Sequence, residues 1–383
     1  MTTLDDLSIL KRPQFKLALE KLEGLLRQNN RAFLIGAGCS KCAGLPLTAE
    51  LTDKVLNNTS LDRNSKEVLE SLKSLFIGTT DANIEDYLSE LIDLLAIAER
   101  RVNRGAKNVQ VELNGKKISS EDLRKTVEQI KTVIVGVIEN CSIDIETHRK
   151  FIKAVHHPIR PGKADSHQIV EYIVLNYDTL LEDTLALERI SFADGLDGGV
   201  TGWWSPQTFK RDGLDACVLK LHGSINWCEF PDDPLPRRVS KRLSVVPPDN
   251  CKTLIWPAST KYLETQRDPY AQLINQARII LHPDKGSQQT LLICGYRFGD
   301  SHINIEIENA LRESQGRLTV VVFTESEKLI GKLKEWNADE SISNQVLIFS
   351  KRGFYHGKQV DDSTDDLPWW KFENLTRLLG GER

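Results

Sequence analysis

The chain of 383 residues is long enough to bury a substantial core in one large α/β domain or two ordinary ones, with no need of a disulfide or metal staple. Its 50 Lys and Arg stand against 54 Asp and Glu, a formal net charge of -4 with both signs mixed, which argues against a nucleic-acid or membrane-surface binder. Seven scattered cysteines, an odd number, fit a reducing compartment better than a disulfide framework. Residues Met1 to Pro13 are polar and charged, and no stretch approaches the roughly 18 consecutive apolar residues of a membrane span, so a cytoplasmic location is expected.

From Gln14 to Gln28, Phe15, Leu19, Leu22 and Leu26 recur at helical spacing with Lys and Glu between them, predicting an amphipathic helix. Ala32-Phe33-Leu34-Ile35 follows as a buried strand, and a helical run is expected from near Thr48. From about Ser60 to His157 the apolar positions keep helical spacing and lack strand runs, so 60–157 reads as a helical insertion in a single domain spanning 1–383. Within it Asn83 is placed to cap a helix carrying Ile84, Tyr87, Leu88, Leu91, Leu94, Leu95 and Ala98 on one face, and Ser119 with Asp122 resembles a capping box. Between these helices, Val111 to Ile118 has the Asn114-Gly115 turn of a small hairpin.

Further apolar runs come later, at Ile173 to Leu175, Cys217 to Leu221, Thr290 to Cys294, Leu318 to Phe323 and Val346 to Phe349. Short, nearly unbroken strands separated by helical stretches predict an α/β fold, a Rossmann-like parallel sheet with helices on both faces. An acidic, polar stretch from Val360 to Asp366 then opens a tail, 360–383, that ends in a Trp-containing helix.

The strongest local signal is G-A-G-C-S-K-C-A-G-L-P from Gly36 to Pro46, between a strand and a helical run. Glycines there let backbone N–H groups approach a pyrophosphate at a helix N-terminus, although alone such a turn is equally a structural one. Three clusters follow other strands: Asn176-Tyr177-Asp178, Leu221-His222-Gly223-Ser224, and G-Y-R-F-G-D-S-H-I-N from Gly295 to Asn304. An amide, a carboxylate, an imidazole and two glycine turns at one edge of an open parallel sheet make a nucleotide site the economical explanation.

The order of Gly-Ala-Gly-x-Ser, Gly-x-Pro, Asn-x-Asp and His-Gly resembles that of the sirtuins, and the Asn-Tyr-Asp and G-Y-x-F-G-D-x-H-I-N elements resemble the sirtuin-like NAD-hydrolase domains of bacterial antiphage defence systems. The resemblance runs from about Ala32 to Phe323 and implies NAD as substrate, with no metal. It implies that Gly36, Ala37, Gly38 and Ser40 cradle phosphate, that Gly44 and Pro46 shape the closing loop, and that Gly223, beside the catalytic histidine, binds the cofactor. Asn176 would hold the nicotinamide ribose or a water, Asp178 the nicotinamide carboxamide, and His222 would be the general base. Gly295, Asp300 and His302 would serve the adenosine half.

The departures narrow the reading. Leu175 stands where sirtuins have glutamine, and Leu47, Thr48 and Ala49 replace the Phe-Arg after the Gly-Ile-Pro turn. After His222 only Cys228, Cys251 and Cys294 remain, widely separated and read as unpaired, so no zinc ribbon is expected and acyl-lysine chemistry loses support. The expectation is an NAD glycohydrolase giving nicotinamide and ADP-ribose or a cyclic isomer. The rivals are an NAD or ADP-ribose sensor or scaffold, and a deacylase or ADP-ribosyltransferase. The resemblance further implies a homo-oligomer, docked on a HerA-type hexameric ATPase or another defence-system partner.

Several conspicuous residues have blander readings. Cys39 and Cys42 are read as small loop residues rather than a redox or zinc pair, and His156-His157 as loop. Trp203-Trp204 and Trp369-Trp370 fit packing better than interfaces, and Arg237 to Arg242 reads as a solvated loop rather than a nucleic-acid contact.

Overall fold

The computed structural model describes residues 5–26, 30–76, 82–156, 168–199, 201–230, 233–239, 252–255 and 268–382. In chain order, α1 (Lys16–Leu26) leads to β1 (Arg31–Ile35), α2 (Thr48–Leu56), α3 (Arg63–Lys73), α4 (Ile84–Asn103), β2 (Gln110–Leu113), β3 (Lys116–Ser119), α5 (Ser120–Glu139) and α6 (Glu146–His156). Next come β4 (Val170–Val174), α7 (Leu180–Leu187), β5 (Phe192–Ala193), β6 (Leu196–Asp197), β7 (Gly202–Trp204), β8 (Ala216–Lys220), β9 (Gly223–Phe230), β10 (Asp233–Arg238) and β11 (Lys252–Ile255). The chain continues through α8 (Tyr270–Leu281), β12 (Gln289–Cys294), α9 (Ser301–Glu313), β13 (Leu318–Thr324), α10 (Gly331–Ala338), β14 (Val346–Ser350), β15 (Gly353–His356), β16 (Gln359–Asp362) and α11 (Phe372–Leu379).

The apolar runs assemble a sheet in the order β16-β15-β14-β13-β12-β1-β4-β8-β5. From β14 to β5 neighbouring strands are parallel, and β15 and β16 close one edge antiparallel. The runs are unbroken because both faces are covered. Alternate residues Leu34, Ile173, Leu291 and Val320 meet Leu273, Ile307 and Trp336 on one side. Their neighbours Phe33, Tyr172, Leu292 and Val321 meet Ala18, Phe151, Leu185 and Leu375 on the other. The fold is thus the expected Rossmann-like α/β sheet. After β1 the chain lays β4 and β8 to one side and later returns to place β12 and β13 on the other, so strand order reverses between β1 and β12. Ligand crevices of open α/β sheets form outside the C-terminal strand ends at such a reversal.

A separate helical layer packs Leu51 and Val55 of α2, Val68 and Leu72 of α3, Leu88 of α4 and Ile134 of α5 around the β2–β3 hairpin, with Tyr177 and Leu180 of the sheet layer in the same cluster. It begins at α2, before Ser60, whereas α6 turns Phe151, Ile152 and Val155 onto the sheet. Helical periodicity marks an apolar face without saying which layer it meets, and His157 lies outside the described residues. Local signals map directly: Asn83 accepts from the Glu85 N–H at 2.8 Å, its own N–H donates to Asp86 at 2.8 Å, and Ser119 accepts from the Asp122 N–H at 3.1 Å. Asn114 and Gly115 turn the hairpin at φ of 49° and 74°, the left-handed pair that a type I′ turn requires.

A second, antiparallel sheet in the order β11-β9-β10-β7-β6 was not expected. Its strands β6 and β7 are too short, at 2 and 3 residues, to show a period. Alternation in β7 buries Trp204 edge-on to Trp227, with centroids 6.4 Å apart, and leaves Trp203 exposed. Cys228 on β9 is disulfide-bonded, against the expectation of unpaired cysteines after His222; Cys251 lies outside the described residues, as do 240–242 of the basic stretch. Arg237 and Arg238 are strand residues of β10 rather than loop, pairing with Trp203 and Gly202. The polar tail opens in β16, a hairpin edge strand on which Val360 and Asp362 are exposed and Asp361 is half-buried, and Trp369 is fully buried with its indole N–H on Ser350 O at 2.6 Å. Among the described residues no helix is long and apolar enough to cross a membrane.

Candidate functional site

Four adjacent parallel strands, β12, β1, β4 and β8, deliver their following residues to one edge. These are Gly295, Gly36, Asn176 and His222. At the reversal the two glycine turns touch backbone to backbone. The Gly36 N–H donates to Cys294 O at 2.9 Å, Gly38 N–H to Gly295 O at 2.9 Å, and Cys39 N–H to Gly36 O at 3.0 Å. A Cβ on Gly36 would meet Gly295 O at 2.4 Å, one on Gly38 the Gly295 Cα at 2.7 Å, and one on Gly295, at φ 67°, Cys39 N at 2.4 Å. Close packing therefore accounts for these three glycines. The N–H groups of Gly36 and Gly38, expected to cradle phosphate, are already engaged by carbonyls. Ala37 and Ser40 lie in the short 3-10 helix Ala37–Ala43 that follows, and Gly44 ends it at φ 93° with its Cα side against Ser142 O. Pro46 is half-buried on the way to α2.

Behind this turn a buried polar chain connects the ends of β1 and β4. Asn176 donates to Ser40 Oγ at 2.8 Å and to Gly36 O at 3.1 Å, and Ser40 donates to Asp178 Oδ2 at 2.8 Å. The other Asp178 oxygen accepts from the Leu180 N–H at 3.1 Å. With both amide hydrogens of Asn176 directed at the loop, its Oδ1 is left buried without a hydrogen-bond partner, on a residue only 7% exposed. A buried acceptor without a donor is costly unless something supplies one. Beneath Asp178, the fully buried Lys220 donates to the Asp178 carbonyl and pairs with Glu182 at 3.3 Å. Burial pushes the Glu182 carboxyl up to about 6, with the Lys220 charge acting against that rise.

His222, 2% exposed, sits between two carboxylates. Its Nδ1 is 3.9 Å from Glu85 Oε1 and its Nε2 is 3.8 Å from Asp300 Oδ1. Glu85 comes from the first turn of α4 in the helical layer and accepts from Tyr177 OH at 2.6 Å. Burial, then the Glu85 charge, push the Tyr177 phenol well above its ordinary range. The His302 ring lies 6.3 Å from that of His222. The loop carrying Asp300 and His302 is braced by Tyr296, whose hydroxyl meets Asn304 Oδ1 at 3.1 Å and accepts from the Asp300 N–H at 3.2 Å, while Asn304 donates to Phe298 O at 2.8 Å. Gly223, at φ 79°, turns the chain from His222 into β9.

Asn176, Asp178 and Ser40 thus meet in one network, and Asp300 and His302 stand beside His222 rather than apart from it. Glu85, Tyr177, Lys220 and Glu182 were missed. A glutamate in the first turn of a helix normally reads as a partner of the helix dipole. The signal available for Lys220 was a lone cation inside an apolar strand.

Residues 170–344 match the family model of the SIR2-like domain. The matched segment, just under half of the chain, holds Asn176, Asp178, His222, Gly295, Asp300 and His302, and excludes the Gly36 loop and Glu85. No match was found among curated proteins. A sirtuin-like domain and an NAD-related activity are what this match supports.

Proposed function

We propose that the chain is an NAD glycohydrolase, cleaving the bond between nicotinamide and ribose. The observation that carries the reading is the Asn176 amide, held by its two hydrogens against the glycine loop with its oxygen buried and unpartnered at the crevice. A ribose hydroxyl or the attacking water is a donor of the right kind for that oxygen. Asp178, fixed by Ser40 and the Leu180 N–H, would orient the nicotinamide carboxamide.

Nicotinamide departs with the electron pair of the C1′–N bond, leaving an oxocarbenium-like ribosyl cation. Water adds its oxygen to C1′, and His222 takes the proton released. The carboxylates of Glu85 and Asp300 favour positive charge on the imidazole and on the nearby ribosyl centre. Within this reading, NAD depletion in antiphage defence is the biological role, and assembly, as a homo-oligomer or on a HerA-type ATPase, is the means of restraint.

The test is NAD loss and nicotinamide release by the purified chain, alone and with a co-expressed HerA-type ATPase. Asn176→Ala and His222→Ala are each expected to lower the rate by roughly 10²–10⁴-fold. NAD that binds yet stays intact in every condition replaces this reading with a sensor or scaffold.

A further inference from the structure

The group around His222 has a property that NAD cleavage does not require. His222, Asp300 and His302 each offer one ligand atom, and all three atoms lie within 4.8 Å of one another. From this geometry we infer a binding site for a borderline divalent transition-metal ion, Zn²⁺ being the best fit, made by His222, Asp300 and His302.

Two imidazoles and one carboxylate are a donor set that suits zinc, with a fourth position left for water. Bonds of about 2.0–2.1 Å place neighbouring ligand atoms of a tetrahedral ion on the order of 3.3 Å apart. The 3.8 Å between His222 Nε2 and Asp300 Oδ1 is within a small rotamer adjustment of that spacing. His302 is half-buried, and its ligand atom lies within 4.8 Å of those of His222 and Asp300.

Two further observations favour an ion there. Asp300 occupies the N-cap of α9, yet its carboxylate makes no capping hydrogen bond and faces His222 instead. Aspartate at an N-cap ordinarily accepts from the helix N–H groups. On the far side of His222, Glu85 faces Nδ1 at 3.9 Å. A proton on Nδ1 directed at that carboxylate leaves the Nε2 lone pair turned toward Asp300, the outer-shell arrangement that orients histidine ligands. The positive end of α9 opposes a cation only near its first turn, and the Asp300 charge at the N-cap offsets it there.

An ion on Nε2 removes the lone pair that His222 would use as a base, so occupancy and NAD cleavage exclude each other. Only that consequence rests on the proposed reaction; binding does not.

The experiment titrates ZnCl₂, and separately CoCl₂, into the chelator-treated full chain, followed by calorimetry and visible absorption. The expected result is one tight ion per chain, with a cobalt spectrum of tetrahedral nitrogen and oxygen ligation. Asp300→Asn and His302→Gln should each weaken binding roughly 10–100-fold while circular dichroism stays native. Absence of tight binding to the wild-type chain overturns the site, as does unchanged affinity in folded His302→Gln. A thiolate charge-transfer band would also overturn it, by moving the ion to cysteine. Tight binding by a chain that never cleaves NAD would reject the reaction and keep the site.

Discussion

At the residue scale, the glycines of the crevice do different work from that which their motif suggests. Glycine-rich turns before helices are read as phosphate loops because glycine lets a ligand approach the backbone. Here Gly36 and Gly295 let two loops of the same chain approach each other. Gly36→Ala and Gly295→Ala should each destabilise the chain by about 2–4 kcal/mol, since the new Cβ meets backbone that cannot swing away. Gly24→Ala is the contrast, because Gly24 lies in α1 with nothing within 4 Å of its added Cβ, and should stabilise by about 0.5–1 kcal/mol. Urea unfolding of the three variants checks both signs. Residue identities at the site were legible wherever a strand end announced them, as at Asn176, Asp178 and His222. Glu85 was not, because its place beside His222 depends on how one layer docks on another, which no local pattern records.

At the scale of elements, strand β8 is the instructive case. Its interior carries Lys220, fully buried, and the cation is tolerated because Glu182 of α7 and the Asp178 carbonyl receive it. Removing one partner leaves the other charge or carbonyl uncompensated. Lys220→Met should therefore cost about 3–5 kcal/mol, and adding Glu182→Leu should recover much of it, measured by denaturant unfolding of the single and double variants. Strand β4 gives a pH test. Burial raises the Glu171 carboxyl from 4.5 to about 7. The folded chain then holds a proton that the unfolded chain has lost, so this contribution is fully present below about pH 4.5 and is lost as pH rises to about 7. At about 1.4 kcal/mol per pKa unit the loss reaches roughly 3 kcal/mol at most, and Glu171→Gln should flatten stability over that window in thermal melts.

The long parallel strands were readable because burial on both faces leaves an unbroken apolar signature. The second sheet was not. Its pairs join segments such as Arg237 with Cys228 and Asp197 with Trp203, and two- or three-residue strands carry no period of their own. The helical layer was visible as helices, but its edge was not, since α6 has the same spacing as its neighbours and differs only in what it faces.

At the scale of the whole molecule, a mixed sheet and a helical layer are joined where Tyr177 and Leu180 enter the helical core. The ends of the chain are also gathered: the Asp5 carboxylate accepts from Lys371 at 2.8 Å and from Asn374 at 2.7 Å, on the sheet face covered by α1, α6 and α11. That face is covered by α1, α6 and α11, whereas the crevice is bordered by the helical layer through the first turn of α4.

The Glu85 contact therefore makes His222 a listener to events that never enter the crevice. Its Nδ1 faces a carboxylate anchored to a different body from the strand that carries the imidazole. Any shift of the helical layer against the sheet would change the 3.9 Å separation between Glu85 and Nδ1, and with it the electrostatic company of the histidine. For the proposed NAD cleavage, the seam between the two layers would be where a change outside the crevice reaches the histidine.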